Sequence, residues 1–434
     1  MDRDQAGIAI HPGTEFSTWL AYSLSLLGIL ALLFLPRAEA AGSLVTDPDF
    51  VDNQFENYIG VPCNTSTPNL IAQGWTVADI NRYTAEICSP LFPGGFNNSG
   101  AYVSTSNIGS VGAIDNSSDS VAQKQTSSVK SRLDEIKEEV DPRGGWGLWL
   151  AAQAGETERV STNNEVGYDS ELEGIVVGFD YRFNDKQVVG GALGITSDDA
   201  IYARSAGFLN TDSNSLTVYT TYLLSQNTYF DAYFGYAALD YENSRDLSIS
   251  GDPGSPPPGG PLNGTVRSKF SGNQWLLGTS YGIDWYPGNS SYGLVAALDY
   301  TSTTIDGHDE EGSTNLELRY AEQTTESLTV TLGGNWSYTL DLGWGALIPT
   351  AGISGVFQTE DDANTSKARL INMPTVVPFL ELQSDKPDTE YLLASLGLVL
   401  ATNGGSQYFF TYEKIENHDF IDNWAVSLGY LTEF

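Results

Sequence analysis

From residue 146 to the C-terminus, large apolar side chains recur at every second position. In 175–183 the odd positions are Ile175, Val177, Phe179, Tyr181 and Phe183, while the even ones include Gly178, Asp180 and Arg182. In 328–338 the even positions carry Leu328, Val330, Leu332, Trp336 and Tyr338. The odd ones carry Thr329, Thr331, Gly333, Asn335 and Ser337. Leu392, Ala394, Leu396, Leu398 and Leu400 make another such face. Period two is the side-chain repeat of a β-strand. The pattern predicts twelve strands, centred near 150, 177, 192, 218, 234, 279, 297, 333, 350, 396, 411 and 428.

Alternation suits two environments. A soluble sandwich turns its apolar face inward, whereas a membrane barrel turns it outward and lines its lumen with small polar residues. The connections help to separate the two. Short ones fall at Asn184-Asp185-Lys186, Ser225-Gln226-Asn227, Pro287-Gly288-Asn289, Asp341-Leu342-Gly343 and Asn403-Gly404-Gly405. Longer ones fall near 156–170, 197–210, 242–270, 305–325, 358–390 and 416–422. Alternating short and long connections put all tight turns at one end, which is the pattern of an up-and-down transmembrane barrel. A Greek-key sandwich would scatter its connection lengths. The expected fold is therefore all-β: a twelve-stranded antiparallel up-and-down transmembrane β-barrel over 145–434.

Upstream the period changes. Val121, Val129, Leu133, Ile136 and Val140 fall at helical spacing, with Lys124, Lys130, Arg132, Glu135 and Glu138 between them. Ser117, Ser118 and Asp119 offer N-caps, and Pro142 with Gly144-Gly145 ends the pattern. About 20 residues at 1.5 Å give roughly 30 Å, close to a bilayer core, yet the segment is too charged to touch lipid. On periodicity alone a surface helix fits 118–141 best, with 118–144 as linker and helix. Residues 41–117 are rich in Asn, Ser, Thr, Gly and Pro, and read as short strands or a loop-rich segment tied by a disulfide. Cys63 and Cys88 are the chain's only two cysteines. In an exported segment they are expected to bridge, closing a loop of about 25 residues and contributing roughly 3–4 kcal/mol. Export is suggested by the uncharged run 19–35, followed by Ala38-Glu39-Ala40, so 1–40 reads as a signal peptide cleaved after Ala40. An uncleaved anchor helix is the alternative.

Composition narrows the function classes. The chain has 434 residues, with 55 acidic against 20 basic side chains and a formal charge of −35. A nucleic-acid binder needs a basic footprint, so that class is excluded. Only 17% of residues are charged, which does not fit an acidic disordered tail. One apolar run in a chain of mean hydropathy −0.20 excludes a multi-helix membrane protein.

With these pieces in order, the chain resembles the autotransporter β-domain family of type V secretion, over roughly 145–434. The resemblance rests on Gly145-Trp146-Gly147-Leu148-Trp149; on Gly178-Phe179-Asp180-Tyr181-Arg182-Phe183 with Asn184-Asp185; and on Glu326-Ser327-Leu328 with Trp344-Gly345. It rests further on Asp385-Lys386-Pro387-Asp388-Thr389-Glu390-Tyr391, on Tyr412-Glu413 and on the terminal Phe434. It implies a Gram-negative outer membrane, a barrel that anchors or displays the N-terminal segment outside the cell, and a lumen helix at 118–141. It also implies barrel-assembly machinery reading a last strand with Trp424, Val426, Leu428, Tyr430 and Phe434, although Thr432 stands where that signal often has an aromatic. Further expected partners are outer-membrane lipid, lipopolysaccharide and periplasmic chaperones, with the protein a monomer. Two features depart from the family. Residues 41–117 are short for a passenger, and the Asn-Asn pair that some members cleave within the lumen helix is missing from this helix: Asn97-Asn98 precedes it and Asn163-Asn164 follows it.

Candidate chemistry is sparse. Gly278-Thr279-Ser280-Tyr281-Gly282 matches G-x-S-x-G, but a strand continues through it where the motif needs a strand-to-helix elbow. The acidic loop Asp306, His308, Asp309, Glu310 and Glu311 fits no calcium-loop spacing and reads as solvated. No enzyme, cofactor or metal is expected. The competing function is an adhesin-like protein that binds a ligand through 41–117 or the external loops. A surface esterase or a porin-like channel is disfavoured.

Overall fold

The computed structural model describes residues 50–92, 104–105, 107–138, 145–249, 262–359 and 362–434. Its barrel strands are β1 (Trp146–Arg159), β2 (Tyr168–Asn184), β3 (Gln187–Tyr202), β4 (Gly207–Leu223), β5 (Thr228–Ile249), β6 (Leu262–Trp285), β7 (Ser290–Ile305), β8 (Gln323–Tyr338), β9 (Gly345–Gln358), β10 (Glu390–Thr402), β11 (Ser406–Glu416) and β12 (Ile421–Glu433). Each is antiparallel to its sequence neighbour, and β12 pairs with β1 from Ile421↔Arg159 to Glu433↔Gly147. All twelve expected strands are present and the cylinder closes. Closure leaves no strand edge unpaired, which is the condition for a sheet in hydrocarbon.

The alternation sorts as a membrane barrel requires. Ile195 is 68% exposed and its neighbour Thr196 4%. Ile175, Val177, Phe179, Leu193, Leu216, Val218, Leu294, Leu298 and Leu332 also point out, while Val176, Asp180, Ala192, Thr217 and Tyr219 point in. A water-soluble protein does not expose so broad an apolar band. Trp146 lies against Tyr181, which meets Phe183 edge-on, and Trp275 packs on Phe234 and Tyr236.

The tight turns lie at one end, the turn end, together with Gly145 and Phe434. Trp146 and Phe434 exchange backbone hydrogen bonds there (3.1 and 3.0 Å) and close the seam. The other, loop end differs from expectation at two connections. β3 runs to Tyr202 and β4 starts at Gly207, so the long loop expected near 197–210 is a tight bend through Arg204 and Ser205, both at φ 57°. Near 416–422 the link is equally short, with Asn417 at φ 63°. At 197–210 the reason is strand length: β3 has 16 residues and β4 has 17. β5 has 22 residues and β6 has 24, whereas a spanning strand needs about 9–11. Strands therefore continue beyond the apolar band, where acidic residues occupy regular ladder positions such as Glu171↔Asp199 and Asp212↔Asp240.

Two further units occupy this cylinder. A helix, α4 (Gly112–Glu138), threads it from the loop end to the turn end, and a small antiparallel sheet covers the loop end. The strands of that sheet are His308–Asp309, Leu318–Tyr320, Thr365–Leu370 and Leu380–Gln383, supplied by the two longest connections. Against it packs the N-terminal segment, which is helical rather than strand- or loop-rich: α1 (Phe50–Asn64), α2 (Thr67–Ala72) and α3 (Val77–Tyr83), then a π-turn to Cys88. Thr76 and Asp79 start α3 with a reciprocal capping box. The Cys63–Cys88 disulfide is formed, with Cα atoms 5.4 Å apart.

Candidate functional site

The helix in the barrel is held by a series of polar contacts. Near its start, the Ser117 hydroxyl bonds Asp198 and Thr211 (2.5 and 2.8 Å), and Ser118 meets the Tyr241 hydroxyl at 2.7 Å. Gln125 donates to Thr217 at 2.5 Å. Lys130 pairs with Asp299 at 2.8 Å, and Tyr233 donates to the same carboxylate. Arg132 grips Asp180 through Nε and Nη2 (2.8 and 3.0 Å). Lys137 reaches Asp231 at 3.1 Å over the ring of Tyr229. The acids sit at inward positions of β2, β3, β5 and β7, so strand register and helical repeat together set the matches. Arg–carboxylate forks of this kind fix orientation as well as adding energy.

The apolar residues expected on this helix divide between two cores. Val129, Leu133 and Ile136 pack in the lumen with Trp149, Val176, Val188, Ala192 and Tyr219. Val121 belongs to the core at the loop end, and Val140 lies outside the described residues. Helix α4 packs on β2, β3, β4 and β7, so residues such as Gln123 and Asp134 on its far side stay exposed. This places the helix in the lumen and not on a surface. It also begins earlier than expected, at Gly112 after a turn over Ile108–Val111. Ser117 and Ser118 are therefore wall contacts, not caps. A Cβ at Gly112 would sit 2.5 Å from the Glu165 carboxyl carbon, so a larger residue there would have to push that side chain aside. Glu165 thus lies over the positive end of the helix dipole.

Around that helix start, the connections are stapled together. Asp385 accepts from Arg159, Thr162 and Asn164 (3.0, 2.7 and 3.0 Å), and its own N–H donates to Glu165 at 2.8 Å. Burial pushes the Glu165 carboxyl up, against the pull of Arg159. His418 takes backbone N–H groups of Phe420 and Ile421 on Nδ1 (3.2 Å each) and faces Asp388. Burial pushes its imidazole down. The Asp385-to-Tyr391 run is thereby a clamp between two connections, a role its sequence did not announce.

The loop-end core joins the N-terminal segment to the barrel. Phe55, Ile59, Trp75, Tyr83 and Ile87 are buried in one cluster with Leu316, Leu318, Leu370, Met373 and Leu382 of the small sheet and its turns. Tyr58 donates to the Pro378 carbonyl (3.1 Å) and Arg82 to that of Asn372 (2.9 Å). The acidic loop is not simply solvated: Glu310 forms a fully buried fork with Arg245 (2.9 and 2.5 Å), and Asp309 pairs with Arg319. Ser280 faces the lumen and donates to Asp231 at 2.9 Å, with both described histidines at the opposite end of the barrel. Among the described residues no group of three His, Cys, Asp or Glu could hold a metal.

On the last strand, Trp424, Val426, Leu428 and Tyr430 lie on the outer face, with Leu428 60% and Phe434 74% exposed. Sequence reasoning missed the Arg132–Asp180 and Lys137–Asp231 pairs. Their signal was available: basic residues on a helix, and lone aspartates at inward positions of alternating strands.

A family model described as the autotransporter β-domain matches residues 148–413, well over half of the chain. Among solved structures, the translocator domain of the autotransporter NalP from Neisseria meningitidis is 18% identical, covers 73% of this chain and 98% of its own, and has a TM-score of 0.52. The β-domain of the Bordetella autotransporter Brka is 17% identical, covering 67% and 100%, at 0.46. The transport unit of AIDA-I from Escherichia coli is 11% identical, covering 68% and 93%, also at 0.46. No curated protein matches. The chain therefore belongs to the autotransporter β-domain family, whose translocator barrels reside in the outer membrane and are inserted there by its assembly machinery.

Proposed function

We propose that this barrel anchors its own short N-terminal segment at the cell surface and keeps it there, as a cap docked on the outer connections. The observation that carries the reading is the single buried core shared by residues 55–91 and the small sheet at the loop end. Segments that share a core do not separate without exposing it, and exposing it costs about 25 cal/mol for each Å² of apolar surface. In a family barrel the loop end faces outward. The helix α4 then runs along one side of the lumen and connects the cap to the turn end.

Lipid and lipopolysaccharide surround the apolar band in this reading. Periplasmic chaperones carry the unfolded chain, and the assembly machinery reads the outward row Trp424, Val426, Leu428, Tyr430 and the terminal Phe434. An apolar strand face of this kind suits recognition by strand addition. The protein works as a monomer and has no active site.

The test is a reporter cysteine at Val77, which is 58% exposed on α3. In intact cells, V77C is expected to react with an impermeant thiol reagent as fully as in broken cells. Reaction only after the envelope is opened would reject surface display.

A further inference from the structure

A groove of about 760 Å³ runs along the seam between the cap and the outer connections. One wall is the face of α1 that carries Gln54, Asn57, Tyr58 and Val61, spaced three and four residues apart. The other is the turn after strand Thr365–Leu370, with Val376, Val377 and Leu380. Gly74, at φ 94°, lets the walls approach: a Cβ there would lie 3.2 Å from Val376. Neither wall makes the groove alone, so it exists only when the cap is docked.

Three features define what fits. First, the walls are aliphatic and open to solvent, with Val61 54% and Val376 51% exposed. Second, Gln54, Asn57 and Gln73 bring carboxamides to the groove and spend none of their donors or acceptors on the described protein. A carboxamide offers two donors and an acceptor. Third, none of the described lining residues is charged, in a chain with 55 acids. The volume is within the range of about 300–1,000 Å³ typical of small-molecule sites, and so is the mix of apolar walls with a few polar groups.

We infer that this groove binds an uncharged amphiphile: a single aliphatic chain along Val61, Val376, Val377 and Leu380, with a neutral hydroxyl- or amide-bearing head read by Gln54, Asn57 and Gln73. A carboxylate or ammonium head would find no counter-charge among the lining residues and would lose its hydration, and Arg369, the cation that acts on Tyr58, is engaged by the Thr375 carbonyl and the Phe379 ring. The inference rests on the docked cap proposed above and gives that display module a ligand class.

The test uses the full-length protein in lipid nanodiscs, with empty nanodiscs as blank and 1-monooctanoylglycerol, octanoate and glycerol as calorimetric probes. Monooctanoylglycerol is expected to bind saturably with one site. Octanoate is expected to bind at least about tenfold more weakly, a difference of about 1.4 kcal/mol, and glycerol not at all. V376D and V61D each are expected to weaken monooctanoylglycerol by about tenfold or more. Equal binding of octanoate, equal binding by V376D and V61D, or no saturable binding of any probe overturns the inference. Docking is read separately in each variant, with cysteines at Arg82 and Asn372 to cross-link the cap. If the cross-link forms and binding fails, the ligand inference falls alone. If the cross-link fails in the parent protein, the docked cap falls too.

Discussion

Arg132 and Asp180 form a two-pronged ion pair in the lumen, at 2.8 and 3.0 Å, with both side chains almost fully buried. Asp180 also accepts from Tyr219 at 3.0 Å, and Tyr219 accepts from the Trp149 indole at 2.6 Å. One carboxylate therefore ties the helix to three strands of the wall. Removing one partner of a buried pair costs about 3–5 kcal/mol, because the other charge is stranded. D180A is expected to lower the temperature at which the heat-modifiable band is lost and to raise lumen conductance. R132M combined with D180L is expected to recover part of the stability lost in D180A, since the buried Glu135 carboxylate, 3.6 Å from Arg132, also loses its cation. A double variant as unstable as the sum of the two single variants would show that the pair is not coupled.

Gly178 is a second fixed point. A Cβ there would fall 2.2 Å from the Trp149 ring, so the indole lies flat on bare backbone. G178V forces that ring out, and overpacking of this kind costs about 1–3 kcal/mol. The expected result is reduced assembled barrel in outer-membrane fractions, with W149A restoring assembly in the double variant. Normal assembly of G178V alone would contradict the contact.

His308 sets an acid limit on the small sheet at the loop end. Its ring stacks between Phe270 and Tyr320 at centroid distances of 3.7 and 4.8 Å. Nδ1 donates to the Asp306 carbonyl, and Nε2 is buried without a partner among the described residues. Burial holds its pKa below the usual histidine value, despite nearby acids. The unfolded chain therefore binds the proton first, so stability is present above about pH 6.5 and falls as pH drops through the folded value. Hydrogen exchange at 308–320 is expected to quicken as pH is lowered from 7 to 5, after correction for intrinsic rates. H308F, which keeps the stack, is expected to flatten that dependence. The same slope in H308F would assign it to another group.

The outward row of β12 is expected to act during assembly rather than in the finished barrel. L428D places a charge on the lipid face, and deletion of Phe434 removes its backbone pair with Trp146. Both are expected to leave more unfolded chain in the periplasm. For the Phe434 deletion, barrel that does assemble is expected to melt close to the parent. Equal assembly rates for both variants would remove the signal role.

Strand number and the two faces of the barrel were legible because lipid imposes a strict rule on every second residue. Strand length was not. Beyond the bilayer the outer face is free to be polar, so Asp199, Asn210 and Asp212 look like loop residues although they sit in paired strands. The cap helices were hidden for a related reason. Helix α1 contains Pro62, and its Phe55 and Ile59 are covered by residues far away in sequence. The lumen helix was visible as a helix, but its place in the lumen came from family resemblance. Its partners Asp180, Asp231 and Asp299 lie on three separate strands, and no local pattern joins them.

The central claim is that the N-terminal segment is a cap held on the outer end of its own barrel. The most direct measurement is cross-linking in intact cells with a short bis-maleimide between cysteines placed at Arg82 and Asn372, where the Arg82 guanidinium spans the gap to the Asn372 carbonyl at 2.9 Å, with the bond mapped by mass spectrometry. The account predicts a near-complete R82C–N372C cross-link in heat-modifiable, outer-membrane protein, with Cys63–Cys88 intact. A folded barrel in which that cross-link does not form would contradict it.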